Sequence, residues 1–184
     1  MTLLNRLILV LFSLGCVGFI AVFGVIVWAL DTYSQNLPDH ESLKNYDPPV
    51  VSRVYAWDGR LMAEFASERR VYVPIESIPE TVRNAFISAE DKHFYQHKGI
   101  DFRGIARAMI KNIKNIGTGR RPEGASTITQ QVAKNLLLTN EVSYARKIKE
   151  MILAVRMERV MSKDRILELY LNEIFLGQRA YGVG

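Results

Sequence analysis

Between Leu7 and Leu30 the chain carries no charged residue, and this run limits the folds open to it more than any other feature. At about 1.5 Å of rise per residue, a helix of that length crosses the roughly 30 Å hydrocarbon core of a bilayer. A cleavable signal peptide would have a shorter apolar core and a small-residue cleavage site, and none is evident after Leu30. A retained membrane anchor over 7–30 is therefore expected, preceded by a short tail at 1–6. Arg6 and the amino terminus lie before the run and Asp31 follows it, a charge order that favours a cytoplasmic N-terminus. Residues 31–184 then lie on the periplasmic or extracytoplasmic side of a bacterial inner membrane. Cys16 is the only cysteine and falls inside the run, where it reads as a lipid-facing or helix-packing residue. No intrachain disulfide can form.

The 48% hydrophobic content is high because it is concentrated in that segment, while the outer part is basic, with a net charge of +5 and a pI near 9.4. So basic a chain commonly binds nucleic acid. A membrane anchor and the lack of any nucleic-acid module argue against that partner; anionic headgroups and pyrophosphate-bearing lipids fit better. Residues 31–49 are polar, end in Asp47-Pro48-Pro49, and read as a stalk. Residues 50–78 form a small β-containing segment. It alternates in the strand manner on either side of Trp57-Asp58-Gly59-Arg60, where Asp-Gly signals a tight turn. From Pro79 to 184 the periodicity is helical.

Val82, Ala85, Phe86 and Ala89 make one apolar stripe and bring Glu90 to the C-terminal end of its helix. A carboxylate there meets the negative pole of the macrodipole, which suits a group that must take up a proton. Asp101 is an expected N-cap. After it, Phe102, Ile105, Ala106, Met109, Ile113 and Ile116 line one face and Arg103, Arg107, Lys111 and Lys114 the opposite one. The preferred reading is a core-facing stripe with a solvated basic face; the alternative is a helix lying in the membrane interface. Residues 117–123 form a loop.

Two further helices carry polar faces. Thr127, Gln130, Gln131 and Lys134 share a side, with Gly124 and Ser126 before them at a helix N-terminus suited to phosphate. Ser143, Arg146, Lys147 and Glu150 share another side, with Tyr144, Ile148, Met151, Ile152 and Val155 opposite. The residues alone allow a bland account of both: a capped surface helix, and an i,i+4 salt bridge worth about 0.3–0.5 kcal/mol. His93 and His97 have metal-ligand spacing but no suitable third ligand nearby, so packed, hydrogen-bonded histidines are expected.

Taken in order, Ala89-Glu90-Asp91-Lys92-His93-Phe94-Tyr95-Gln96-His97-Lys98-Gly99-Ile100-Asp101, Gly124-Ala125-Ser126-Thr127-Ile128-Thr129-Gln130-Gln131-Val132-Ala133-Lys134-Asn135, Arg146-Lys147-Ile148-Lys149-Glu150 and Lys163-Asp164-Arg165-Ile166-Leu167-Glu168-Leu169-Tyr170-Leu171-Asn172 closely resemble the peptidoglycan glycosyltransferase family (glycosyltransferase family 51). The resemblance runs from about Val50 to the last residue. Upstream, Val50–Tyr55 and Asp58–Phe65 look most like the bifunctional class A penicillin-binding proteins of the 1a type. It implies a mainly α, lysozyme-like lobe with a small N-terminal β-hairpin element and one transmembrane helix. The implied activity is polymerisation of lipid II into β-1,4-linked glycan with release of undecaprenyl pyrophosphate and inversion at the sugar carbon.

By resemblance, Glu90 and Glu150 are the catalytic pair. Glu90 takes the proton of the acceptor, and Glu150 orients Arg146 and Lys147 or helps to hold Mg²⁺ or Mn²⁺. Asp91, Phe94, His97, Ser126, Thr127, Gln130, Gln131, Lys134, Asn135, Arg146 and Lys147 bind substrate. The implied partners are lipid II, the lipid-linked glycan strand, the membrane and other cell-wall synthesis proteins, with no organic cofactor. A lysozyme-like lytic enzyme and a catalytically silent membrane scaffold are the competing readings. Leu176–Gly184 matches the beginning of a fifth family motif, so a fragment of the lobe is expected, without the serine-lysine motif of a transpeptidase.

Overall fold

A computed structural model describes residues 3–35, 37–46, 52–65, 71–139, 141, 143–177 and 180–184. The expected end of the stalk at 47–49 and the hairpin flanks at 50–51 and 66–70 lie outside the described residues. The fold is mainly α, with six helices and two short β-pairs among the described residues.

Helix α1, Leu3–Ser34, contains the uncharged run. It is the one described helix long and apolar enough to cross a membrane, and its large side chains from Leu7 to Leu30 are exposed. The polar segment after it does not act as a free spacer throughout. A 3-10 turn at Glu41–Asn45 buries Leu43 in the core of the helical body, and the Tyr46 carbonyl accepts a 2.9 Å hydrogen bond from Arg165 Nη2. Strands β1 (Ser52–Tyr55) and β2 (Leu61–Phe65) pair antiparallel. The turn between them is the one the Asp-Gly pair predicts: Gly59 has φ +81°, and Asp58 Oδ1 accepts from the Arg60 N–H at 3.1 Å.

The helical body consists of α2 (Glu80–Glu90), α3 (Phe102–Lys114), α4 (Ile128–Leu137), α5 (Tyr144–Val160) and α6 (Lys163–Glu173). Its core is a seam of α4, α5 and α6: Ile128 and Val132 from the first, Leu153 and Met157 from the second, and Ile166 to Leu171 from the third. All of α6 from Ile166 to Glu173 is buried, so Glu168 and Asn172 need hydrogen-bond partners within the protein. Glu168 accepts from Tyr72 Oη and Arg165 Nη1 on one oxygen and from the Ile75 N–H on the other, at 2.7 Å. Asn172 exchanges two hydrogen bonds with the Val73 backbone, at 2.8 and 2.9 Å. The link between hairpin and helical body is thus stitched along α6. A second pair, β3 (Phe175–Gly177) with β4 (Ala180–Tyr181), follows α6 and has no counterpart in the periodicity.

Three amphipathic assignments shift. On α2 the packed edge is Val82, Phe86 and Ile87, while Ala85 and Ala89 are exposed: methyl groups add little to an edge already filled by larger side chains. On α5 the core edge runs through Glu150, Leu153, Ala154 and Met157, and Tyr144, assigned to the apolar face, is 93% exposed. The α3 stripe does not face the core. Phe102 is 75% and Ile116 78% exposed, with Met109 and Ile113 also in solvent; only Gly104 and Ala108 of this helix are buried. The buried residues of α3 are thus small ones, and its bulky apolar face is left uncovered.

Two outcomes follow for stability. Gly99 has φ +92°, and a Cβ there would stand 2.7 Å from the Ala154 carbonyl carbon and 2.9 Å from Val155 N. Gly99→Ala is expected to cost about 2–4 kcal/mol, read as a fall in the thermal or urea midpoint. Burial pushes the Glu168 carboxyl up, but the bonds from Tyr72, Ile75 and Arg165 outweigh it and hold the group below its ordinary value of 4.5. A folded-state value below the unfolded one contributes stability above about pH 4.5 that is lost as the pH falls through the folded value. Acid melts should therefore steepen below pH 4.5 in the parent, and Glu168→Gln should flatten that dependence; an unchanged acid profile would contradict the assignment.

Candidate functional site

Glu90 is the last residue of α2 and is exposed. Its Oε2 accepts a 2.8 Å hydrogen bond from Gln131 Nε2, one turn into α4. The next residue turns the other way. Asp91 leaves the helix with φ −154° and is buried, and His97 Nε2 lies 3.0 Å from both of its carboxylate oxygens. Asp91 Oδ2 also accepts the Ile128 N–H, at 3.1 Å, at the first residue of α4, where the unsatisfied amides of a helix start favour an anion. One carboxylate thus locks the end of α2 to the start of α4, and its neighbour is left in the open, held lightly by a side-chain amide.

Thr127 is the N-cap of α4 rather than a residue on its face. Its Oγ1 accepts from the Gln130 N–H and donates to the Gly99 carbonyl at 2.7 Å, while Gln130 Oε1 accepts from the Thr127 N–H. This is a complete capping box. Both side chains are buried, so their polar atoms serve the loop that carries Asp91 and His97. Gln131 and Lys134 share the more open side of the helix, and Asn135 beyond them is exposed.

The second cluster joins α5 to the residue before that cap. Lys147 Nζ donates to Ser126 Oγ and to Glu150 Oε2, both at 2.8 Å. Arg146 Nε lies 3.2 Å from Glu150 Oε1. Glu150 is 3% exposed because it sits where the polar face of α5 enters the core, so its charge requires the two cations. Arg146 and Lys147 remain partly open. The arrangement is a pair of positive groups fixed from below by a buried carboxylate, beside a helix N-terminus.

Other predicted residues fall elsewhere. Phe94 is fully buried in the core, with Lys163 Nζ 4.4 Å above its ring and the His97 ring edge-on to it. His93 Nδ1 is 3.2 Å from Asp101 Oδ2. Burial pushes the Asp101 carboxyl up, yet the Gly104 N–H and His93 together hold it below its usual range. A cavity of about 410 Å³ opens there, lined by His93, His97, Lys98, Phe102 and Arg103 among others, and Glu90 is not part of its wall. Both Glu150 oxygens face cations, and no three His, Cys, Asp or Glu side chains converge among the described residues. That donor set does not suit a hard dication such as Mg²⁺ or Mn²⁺, which seeks several oxygen ligands. Sequence reasoning missed the tie between α4 and α5 made by Glu158, which accepts from Thr129 Oγ1 and Lys163 Nζ at 2.6 Å. Thr129 and Glu158 stand 29 residues apart in sequence, too far for either to suggest the other.

An apolar helix long enough to cross a membrane thus precedes a helical body that carries an exposed glutamate and a cation pair backed by a buried glutamate. The sequence model of the family described as Transglycosylase matches residues 58–184, and the chain belongs to that family. It is similar to the penicillin-binding protein 1A of Rickettsia bellii (strain RML369-C), 53% identical over 97% of this chain and 22% of that protein. It is similar too to those of Neisseria lactamica (47% identical, 91% of this chain and 21% of the relative) and Aquifex aeolicus (strain VF5) (49%, 92% and 23%). The chain spans about a fifth of the length of these curated relatives.

Removing the Asp91 carboxylate strands the His97 imidazole and the Ile128 N–H in a buried setting. Asp91→Ala should cost about 3 kcal/mol, measured by chemical denaturation, and should increase hydrogen exchange at the first turn of α4 before global unfolding.

Proposed function

We propose that the chain is the glycosyltransferase part of a peptidoglycan synthase that polymerises lipid II into β-1,4-linked glycan strands. The observation that carries this reading is the contrast between its two glutamates: Glu90 exposed and accepting from the neutral Gln131 amide, Glu150 buried and committed to Arg146 and Lys147. A hydrolase acting on finished glycan has no diphosphate to hold, whereas a transferase using a lipid diphosphate donor does.

In this mechanism the 4-hydroxyl of the acceptor sugar attacks C1 of the donor sugar, and Glu90 takes its proton as the new O–C1 bond forms. The C1–O bond to the diphosphate breaks, and its electron pair leaves with undecaprenyl pyrophosphate. Lys134, Arg146 and Lys147 neutralise the departing charge, so no carboxylic acid is needed to protonate it. Direct displacement converts the α-linked donor into the β-linked product without a covalent enzyme intermediate. Gln131 steadies Glu90; Asp91, His97, Thr127 and Gln130 hold the frame between the two halves of the site; Ser126 aims Lys147; and Asn135 extends the open side of α4 towards the sugars.

The lipid end of the substrate accounts for the uncovered face of α3. Phe102, Met109, Ile113 and Ile116 together with α1 form apolar surface that a bilayer would cover, keeping the site near the headgroups. The N-terminus is assigned to the cytoplasm and the helical body to the periplasmic side of the inner membrane, where other cell-wall synthesis proteins are partners.

Detergent-solubilised protein incubated with labelled lipid II should give a ladder of glycan polymers on a gel. Glu90→Gln should abolish the ladder, and Lys147→Ala should slow it about a hundredfold. A ladder persisting in Glu90→Gln would remove Glu90 as the base; shortening of preformed glycan would favour the lytic reading.

A further inference from the structure

Asn112, half-buried near the end of α3, has no part in the mechanism above. Its side-chain amide grips the backbone of Glu123, eleven residues on, from both sides. Nδ2 donates to the Glu123 carbonyl at 3.0 Å, and Oδ1 accepts the Glu123 N–H at 2.7 Å. A primary amide suits this two-point bond because it carries a donor and an acceptor together. Lys111 Nζ and, at 3.7 Å, Arg107 Nε pair with the Glu123 carboxylate. Those ion pairs are open to solvent and contribute little, whereas the Asn112 bonds fix the main chain itself. Gly124, Ala125 and Ser126 then lead directly into the Thr127 cap of α4, and Ser126 Oγ accepts from Lys147 Nζ at 2.8 Å. A Cβ built on Gly124 would meet nothing within 4 Å, so side-chain packing does not hold the start of this stretch. Its position depends on its two ends, the Asn112 clasp and the capping box.

We propose that Asn112 is a positioning residue for the diphosphate end of the donor: by fixing Glu123 it sets where Ser126 stands, and through Ser126 where Lys147 Nζ is held. With the clasp open, residues 124–126 regain backbone freedom. Lys147 then keeps Glu150 as a fixed partner but loses Ser126, and its flexible side chain is no longer pre-set for the departing charge. The polar edge of α3 thereby acts on the cation pair of α5 without touching it. This inference rests on the proposed role of Lys147 in binding the diphosphate.

Asn112→Ala, which deletes both bonds, tests it in two ways on the full chain in detergent. In ¹⁵N relaxation, the order parameters of the Gly124, Ala125 and Ser126 amides should fall from the rigid range near about 0.85 in the parent to below about 0.6. In the lipid II assay, kcat/KM should fall about tenfold in the single variant. Added to Lys147→Ala, the same substitution should cost less than about twofold, because the side chain through which it acts is already gone. A purely structural role would cost the same factor in both backgrounds. An unchanged single variant, a full tenfold loss on top of Lys147→Ala, or equal order parameters in parent and variant would each overturn the proposal. A parent that makes no polymer from lipid II would overturn the assigned function instead. The order parameters would still decide the clasp, so the two failures are distinguishable.

Discussion

The Asp91 carboxylate is where three pieces of the chain are held together: the end of α2, the loop through His97, and the first amide of α4. A buried anion at the start of a helix answers amides that would otherwise go unsatisfied, and the imidazole closes the remaining side. Because Glu90 is the preceding residue, fixing Asp91 fixes where the exposed carboxylate stands. Gln131 completes the geometry from the helix whose start Asp91 has anchored. The Thr127–Gln130 capping box and the Thr127 bond to Gly99 reinforce the junction from the other side, so the polar residues of this region serve the frame before they serve a ligand.

The second glutamate shows how burial changes a carboxylate's work. Glu150 lies on the edge of α5 that continues into Leu153, Ala154 and Met157. An ion in that position must be paired, and the pairing fixes Arg146 and Lys147 where flexible cationic side chains would otherwise sample many rotamers. Pre-set cations on α5 and an exposed carboxylate at the end of α2 are the two groups on which the proposed transfer to a 4-hydroxyl relies.

Along α6, buried polar residues serve architecture instead. Glu168 and Asn172 bind the backbone of residues 73–75, and Arg165 reaches the carbonyl of Tyr46. The segments on either side of the hairpin are thereby docked on the same helix. The Lys163–Asn172 block is largely a device for joining an N-terminal element to the helical body.

The sequence by itself determined the apolar helix at the N-terminus, the Asp58-Gly59 hairpin, the helix start at Asp101, and the family through the ordered motifs. Each depends on local chemistry: an uncharged run, a turn residue, a side chain that caps its own helix. Only the tertiary structure decided that Thr127, Gln130 and Phe94 face inward, that the α5 core edge passes through Glu150, and that the bulky face of α3 is uncovered. Helical periodicity states which residues share a face but not which face meets a neighbour, and on α3 the buried residues are the small Gly104 and Ala108 rather than the large apolar ones. The ties from Asp91 to Ile128 and from Glu168 to Ile75 span sequence separations that no local pattern encodes, and they become visible only once the chain has closed on itself.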